Sequence, residues 1–168
     1  MIELRALTEA DVEAHNAGED DEIVRWLTGG YGTTTTTTRH FVLLADNAAR
    51  GAGKRGFGIW LRGRLAGYID FDPDSIEVPV PGDVNLAYSV HPWARGRGVA
   101  STAVSLLCDQ LSAQGIGSRA IIRTERNNHA SAAVARRSGF RHLDQDESAT
   151  SRRHDTAPMS FDIYARSL

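Results

Sequence analysis

At 168 residues, 41% hydrophobic and 24% charged, the chain is long enough for one domain with a buried core. A formal net charge of −2 excludes a polycation built to coat nucleic acid, and one cysteine, Cys108, excludes an internal disulfide and a cysteine-built zinc site. The opening MIELRALTEADVEAH lacks a signal-peptide core and no apolar run approaches the ~20 residues of a membrane helix, so a cytoplasmic chain with no membrane partner is expected.

IELR (2–5) alternates and predicts a short strand. Thr8 then caps a helical stretch, TEADVEAHN, with acids in its first turn. EDDEIVRWL (19–27) predicts a second short helix, broken by Gly29, Gly30 and Gly32. Six threonines follow at 33–38. Their β-propensity allows a strand, but a loop ending in a helix cap fits better, because Phe41, Leu44, Ala45 and Ala48 then fall at helical spacing. Gly51 and Gly53 end that helix. FGIWLRGRLAGYIDFD (57–72) places two β-rich runs around Arg62-Gly63-Arg64, a hairpin signal.

VNLAYSV (84–90) is the next strand, stopped by Pro92. From Val99, apolar residues at 99, 103, 106, 107 and 111 mark a helix of about four turns ending near Gly115. Cys108 lies beside that stripe, as a buried inert thiol would. RAIIRT (119–124) is a strand, Asn128 caps a helix through Arg137, and Gly139 closes it. RHLDQDE (141–147) and MSFDIYA (159–165) predict two final strands around a polar segment, 148–158. Alternation in the middle with flanking strands gives a mixed α/β sheet with helices on its faces.

Charge is unevenly spread. Residues 1–30 carry a net of −6 and residues 91–141 a net of +6, the latter from eight arginines against Asp109 and Glu125. Two solvated faces account for most of this, and one half meeting an anion while the other meets a cation is the sharper alternative. The arginines at 119–141 have a single aromatic among them, Phe140, so no nucleic-acid partner is expected. His91 and His129 are not spaced as metal ligands, and solvated or capping roles are expected for them.

The stretch HPWARGRGVAS (91–101) joins a strand to a helix start through glycines. Such a turn is either a simple connection or a cradle whose backbone N–H groups converge on an anion. It matches neither the Gly-Lys-Ser/Thr end of a nucleotide P-loop nor G-x-G-x-x-G. It does contain Arg95-x-x-Gly98-x-Ala100, and with this the chain resembles the GNAT superfamily of N-acetyltransferases. Their pyrophosphate signature, Gln/Arg-x-x-Gly-x-Gly/Ala, follows the fourth strand and opens a long helix. A second match follows about thirty residues on: ERNNHASAAVARRSGF resembles the family's next helix through Asn128, Ser131, Gly139 and Phe140. The helix VRWL and the strand GYIDF resemble the ribosomal-protein-alanine N-acetyltransferase branch.

The resemblance implies the GNAT acyl-CoA N-acyltransferase fold, of α/β (α+β) class. That is a mixed, mostly antiparallel sheet with helices on both faces and a cofactor cleft where the fourth and fifth strands splay. One domain, 1–168, would carry acceptor-side helices in 1–55 and an acetyl-CoA-binding core in 84–143. The implied co-substrate is acetyl-CoA, with no metal, held by Ser89, Val90, Arg95, Gly96, Arg97, Gly98, Val99, Ala100, Ser101, Asn128 and Ser131. Backbone groups near Val90 would polarise the thioester carbonyl, and Ser131 would hydrogen-bond the leaving sulfur, where other members use a tyrosine at the place of Ala135. The branch's glutamate falls at Asn85, which takes no proton. Asp70, Asp72, Asp83 and Glu125 lie near strand ends with nothing in the sequence to bring them to the amine, so a water chain is the expected base. Trp26, Tyr31 and Asn85 are the expected acceptor contacts, core packing being the alternative for Trp26. The expected activity moves an acetyl group to a primary amine, on a protein N-terminus or a small molecule, by a monomer or homodimer. A non-catalytic acyl-CoA sensor is the alternative.

Overall fold

The computed structural model describes residues 1–144, 147 and 161–168. β1 (Ile2–Arg5) leads through a 3-10 turn to α1 (Val12–Ala17), then to α2 (Asp21–Ile23), which runs on into a π turn, Val24–Thr28. α3 (Thr34–Arg50) precedes β2 (Arg55–Leu61), β3 (Arg64–Asp72) and β4 (Asp83–Val90). α4 (Val99–Ala113), β5 (Arg119–Glu125), α5 (His129–Arg137), β6 (Arg141–His142) and β7 (Phe161–Ser167) complete the order.

The threonine run departs from expectation. Only Thr33 stays outside α3, and 34–38 are helical. Thr33 and Thr36 form a capping box with each other: the Thr33 hydroxyl accepts from the Thr36 N–H at 3.1 Å, and the Thr36 hydroxyl from the Thr33 N–H at 2.9 Å. Thr37 is buried and donates to Asn16 Oδ1 at 2.6 Å. Capping and packing on α1 outweigh the modest β-propensity of threonine. The strand expected over 141–147 shortens to Arg141–His142, and the strand expected to begin at 159 is described from Phe161. Residues 145–146 and 148–160 lie outside the described residues.

The seven strands form one sheet in the order β1-β2-β3-β4-β5-β7-β6. Every neighbouring pair is antiparallel except β4 and β5. α4 and α5 bury Val99, Ala103, Leu107, Ala132 and Ala135 against one face. α1 and α3 bury Val12, Phe41 and Leu44 against Leu65 and Tyr68 on the other. Cys108 is buried, and burial pushes its thiol up to about 11, so it is inert at neutral pH.

Two irregularities position the site. First, the parallel pairing of β4 with β5 covers only 83–86 against 119–122. It starts at the partners Asp83 and Arg119, which are also joined side chain to side chain by a fork of 2.8 and 2.7 Å. Beyond Leu86 and Ile122, β4 stays paired only to β3, and β5 only to β7. Second, β2 and β3 slip register: Ile59 faces Gly67 but Trp60 faces Leu65, leaving Ala66 as the extra residue. Ala66 packs on the α4 side, yet Leu65 and Tyr68, three residues apart, both pack on the α3 side. The bulge thereby turns Tyr68 and Asp70 toward α3.

Gly67 sits at this bulge, and a Cβ there would collide with the Ser89 carbonyl oxygen of β4. Backbone cannot yield as a flexible side chain can. Gly67→Ala is therefore expected to lose about 1–3 kcal/mol, read as a lower urea midpoint at unchanged slope.

Candidate active site

The turn after β4 follows from its glycines. Gly96 and Gly98 hold φ of 72° and 74°, the left-handed region open to glycine. Gly98 is the N-cap of α4, a helix of fifteen residues, whose first N–H groups have no acceptor within the helix. A Cβ at either glycine would meet nothing within 4 Å, so the turn is open on that side. Arg97 is exposed beside them, Val99 is buried, and Ala100 and Ser101 are half-buried in the first turn. This donor set fits a pyrophosphate. The Arg95 side chain points elsewhere: its guanidinium forks onto Asp20 at 2.6 and 2.8 Å, reaches Glu22 at 3.1 Å, and donates through Nε to the Val90 carbonyl at 3.0 Å.

The gap between β4 and β5 lies next to this turn. His91 N–H donates to Ala66 of β3, so by the alternation of strand backbone Val90 turns its own N–H and C=O away from β3, toward the gap. Its carbonyl is taken by Arg95 and its N–H faces the opening. Across the gap, Asn128 caps α5 by accepting from the Ser131 N–H at 3.1 Å. The Ser131 hydroxyl lies 2.9 Å from the hydroxyl of Tyr88, which also donates to the Ser131 carbonyl at 3.2 Å. Burial pushes Tyr88 up to about 12, so it stays protonated. Ala135 is fully buried against the core. Tyr88 was not among the expected site residues. Its spacing of two from Leu86, which puts both on one face of β4, was the available signal that it faces α5.

On the other side of β4, a cavity of about 190 Å³ opens toward α1 and α3. Ala87 and Ser89 of β4 line it, with His15, His40, His91 and Asp70. His91 occupies the N-cap position of a 3-10 turn, but its ring is buried, not solvated, and packs where a Cβ on Gly18 would stand. Burial drives it down to about 4, and burial likewise lowers His15 and His40, so all three rings are neutral at pH 7. Asp70 goes the other way: burial raises it to about 6, against Lys54 and the Tyr68 hydrogen bond, which pull it down. His129 is exposed on α5. Among the described residues no three metal-ligating side chains cluster.

The expected acceptor contacts are not brought together. Trp26 is half-buried on the π turn under the Arg25 guanidinium, 4.4 Å from its ring centroid, and belongs to neither the cavity wall nor the core. Tyr31 is 56% exposed and donates to Asp21 at 2.5 Å. Asn85 shares the cavity's face of β4 but stands opposite Ile121, where β4 and β5 are still paired. Ser89, expected at the cofactor, points its side chain into the cavity.

The profile of the family described as Acetyltransferase (GNAT) domain matches residues 2–141. The chain belongs to the GNAT acetyltransferases. A search of curated proteins by sequence returns no match. Among solved structures, RimL, a ribosomal L7/L12 alpha-N-protein acetyltransferase in complex with coenzyme A, superposes with a TM-score of 0.80 at 23% identity, over 99% of this chain and 94% of its own. The microcin C7 self-immunity acetyltransferase MccE, with acetyl-CoA and AMP, gives 0.79 at 15% identity, over 99% and 92%. The aminoglycoside acetyltransferase AAC(6')-Ib with coenzyme A gives 0.77 at 17%, over 99% and 95%. These likenesses are of fold. This GNAT enzyme has no helix, among the described residues, long and apolar enough to cross a membrane.

The Arg95 fork ties residues 20–22 to the turn after β4. Asp20 serves twice, since its Oδ1 also caps α2 by accepting from Ile23 N–H at 3.1 Å. Arg95 is the main cause of a lowered Asp20 pKa. A carboxyl depressed in the folded state stabilises fully above its unfolded pKa, about 4, and less as pH falls through the folded value. Asp20→Asn keeps a capping oxygen but loses the charge, so its stability deficit at pH 7 is expected to shrink by pH 3. Asp20→Ala loses the cap as well, about 1 kcal/mol more. Urea unfolding of both variants at the two pH values measures this.

Proposed function

We propose that this enzyme is an acetyl-CoA-dependent N-acetyltransferase that moves an acetyl group to a primary amine by direct attack on the thioester. One observation carries the reading. Where β4 leaves β5, it offers the Val90 N–H to the gap on one side and Ala87 and Ser89 to a cavity on the other. A thioester in the gap and an amine in the cavity would meet across a single strand.

The residues divide the work. The N–H groups of Gly96, Arg97, Gly98, Val99, Ala100 and Ser101 hold the pyrophosphate, with the exposed Arg97 beside them. Unpaired backbone along β4 holds the extended amide arm as an added strand would be held. The Val90 N–H draws charge onto the thioester oxygen as the carbonyl opens. Ser131, backed by Tyr88 at 2.9 Å, bonds the leaving sulfur. Asn128 supports this from behind, through its cap on α5. The inert Cys108 offers no nucleophile for a covalent route.

The acceptor enters past residues 19–22, an acidic run that draws a cation. An α-amine has a pKa of ~7.7–8.0 against ~10.4 for a lysine side chain, so freeing it at neutral pH costs about 1 kcal/mol rather than roughly 4–5. A protein N-terminus or a small molecule with a weakly basic amine is therefore the favoured acceptor. RimL acts on a protein α-amine and AAC(6')-Ib is named for aminoglycosides, so the fold serves both kinds. Asn85 and Ala135, which carry no proton-transfer group, favour a second reading, an acyl-CoA sensor without turnover.

Thiol release with acetyl-CoA and a panel of α-amines, polyamines and aminoglycosides separates the two, since binding without release on any amine selects the sensor. Gly98→Glu places a carboxylate among the phosphate donors and is expected to abolish coenzyme A binding by calorimetry, while the protein still folds with a stability loss of about 1–2 kcal/mol for a side chain at φ 74°. Ser131→Ala is expected to lower kcat about 10- to 100-fold, the loss of one hydrogen bond to a charged sulfur, with little change in affinity for acetyl-CoA.

A further inference from the structure

Transfer to an amine needs a group to receive the proton that nitrogen loses, and the side chain at the family's glutamate position, Asn85, cannot. Its amide stands in the paired part of β4, one residue short of where the strands part. The bulge at Ala66 supplies another carboxylate. Asp70 pairs with Ala87, whose small side chain leaves the way to the gap clear, one strand spacing of about 4.8 Å away. Asp70 is 3% exposed and lines the cavity. Its Oδ2 accepts from the Tyr68 hydroxyl at 2.9 Å, and Lys54 Nζ stands 3.8 Å away. Its Oδ1 is buried with no hydrogen-bond partner among the described residues, an acceptor whose desolvation nothing repays. The carboxylate torsion is broad, so a small turn brings that oxygen to a ligand in the cavity.

We propose that Asp70 is the base of this enzyme, taking at Oδ1 the proton that the attacking amine releases. The proposal rests on the acetyl-transfer reading above. The neutral amine, its first proton left to water, gives its lone pair to the acyl carbon. The carbon–sulfur bond breaks with its pair on sulfur, the amine proton passes to Asp70, and the thiolate takes a proton from solvent. Tyr68 links Asp70 Oδ2 to His40 Nε2, also at 2.9 Å, and His40 is half-buried at the cavity rim. That line returns the proton to solvent once the carboxyl turns its protonated oxygen to Tyr68 and the Tyr68 hydroxyl donates to His40 Nε2 in place of Asp70. The groups facing Asp70 are Tyr68 and Asp72 from its own strand, Lys54 ahead of β2, His40 from α3, His15 from α1, Glu19 after α1, and His91 after β4. The three histidines are neutral, so they pass protons without repelling the ammonium form of an acceptor. Burial holds Asp70 at about 6, close enough to neutrality to accept a proton and give it up again.

The test is the pH profile of kcat/KM for wild type, Asp70→Asn and Tyr68→Phe, with acetyl-CoA affinity measured beside it. Wild type is expected to lose rate first below the pKa of the amine, and to show a second, steeper limb below about pH 6. Asp70→Asn should lower kcat/KM by about 10²- to 10⁴-fold and remove that limb, at unchanged acetyl-CoA affinity. Tyr68→Phe removes the hydroxyl that favours the ionised carboxylate, so the limb should move to higher pH while the fold is kept. Asp70→Asn with near-wild-type kcat/KM, or a Tyr68→Phe limb that does not move, overturns the assignment and leaves the transfer reading standing. No turnover by wild type on the whole amine panel overturns both.

Discussion

The site depends on the length of one parallel strand pair. β4 and β5 are clamped at one end by the Asp83–Arg119 fork, which joins two residues already in register. They part after four pairs. Unpaired strand edges are normally a liability, because each N–H and C=O wants a partner. Here an edge opens inside the sheet rather than at its margin. A strand-like ligand is the natural occupant, and the four β4–β5 pairs with the Asp83–Arg119 fork keep the two halves from drifting further apart.

Arg95 belongs to the same device. It occupies the signature position of the phosphate turn, yet its fork reaches back to Asp20 and its Nε closes the Val90 carbonyl. One side chain thus satisfies an exposed backbone group beside the gap and fixes the segment that walls the cavity. The glycine turn and the cavity wall are held by one guanidinium. A planar donor fork suits two carboxylate oxygens and a carbonyl at once in a way that a lysine ammonium does not.

The sequence was most informative where periodicity and glycine punctuation agree. The hairpin about Gly63, the helix from Val99 and the cap at Asn128 were all legible, and so was the glycine turn that opens that helix. The threonine run was placed in a loop because threonine is a weak helix former, whereas its helical turn is held by the Thr33–Thr36 capping box and by a contact from Thr37 to Asn16, twenty-one residues away. Tyr88 and Ser131 are forty-three residues apart, and no local pattern announces their contact. Asp70 was visible only as one acid among several near strand ends. What singles it out is the cavity that β3, β4 and α3 build around it.

The bulge at Ala66 also sets the cavity's chemistry. β3 carries two alternating sets of side chains: Tyr68 and Asp70 in one, Ile69 and Phe71 in the other. The extra residue decides which set the cavity receives. Without it, β3 would set Ile69 and Phe71 against the three histidines and drive a carboxylate into the packing under α4. The polarity of the cavity's β3 wall is therefore a property of strand phase as much as of composition. A one-residue insertion or deletion in this hairpin would convert the chamber from one class of guest to another, with every side chain that lines it still encoded in the chain.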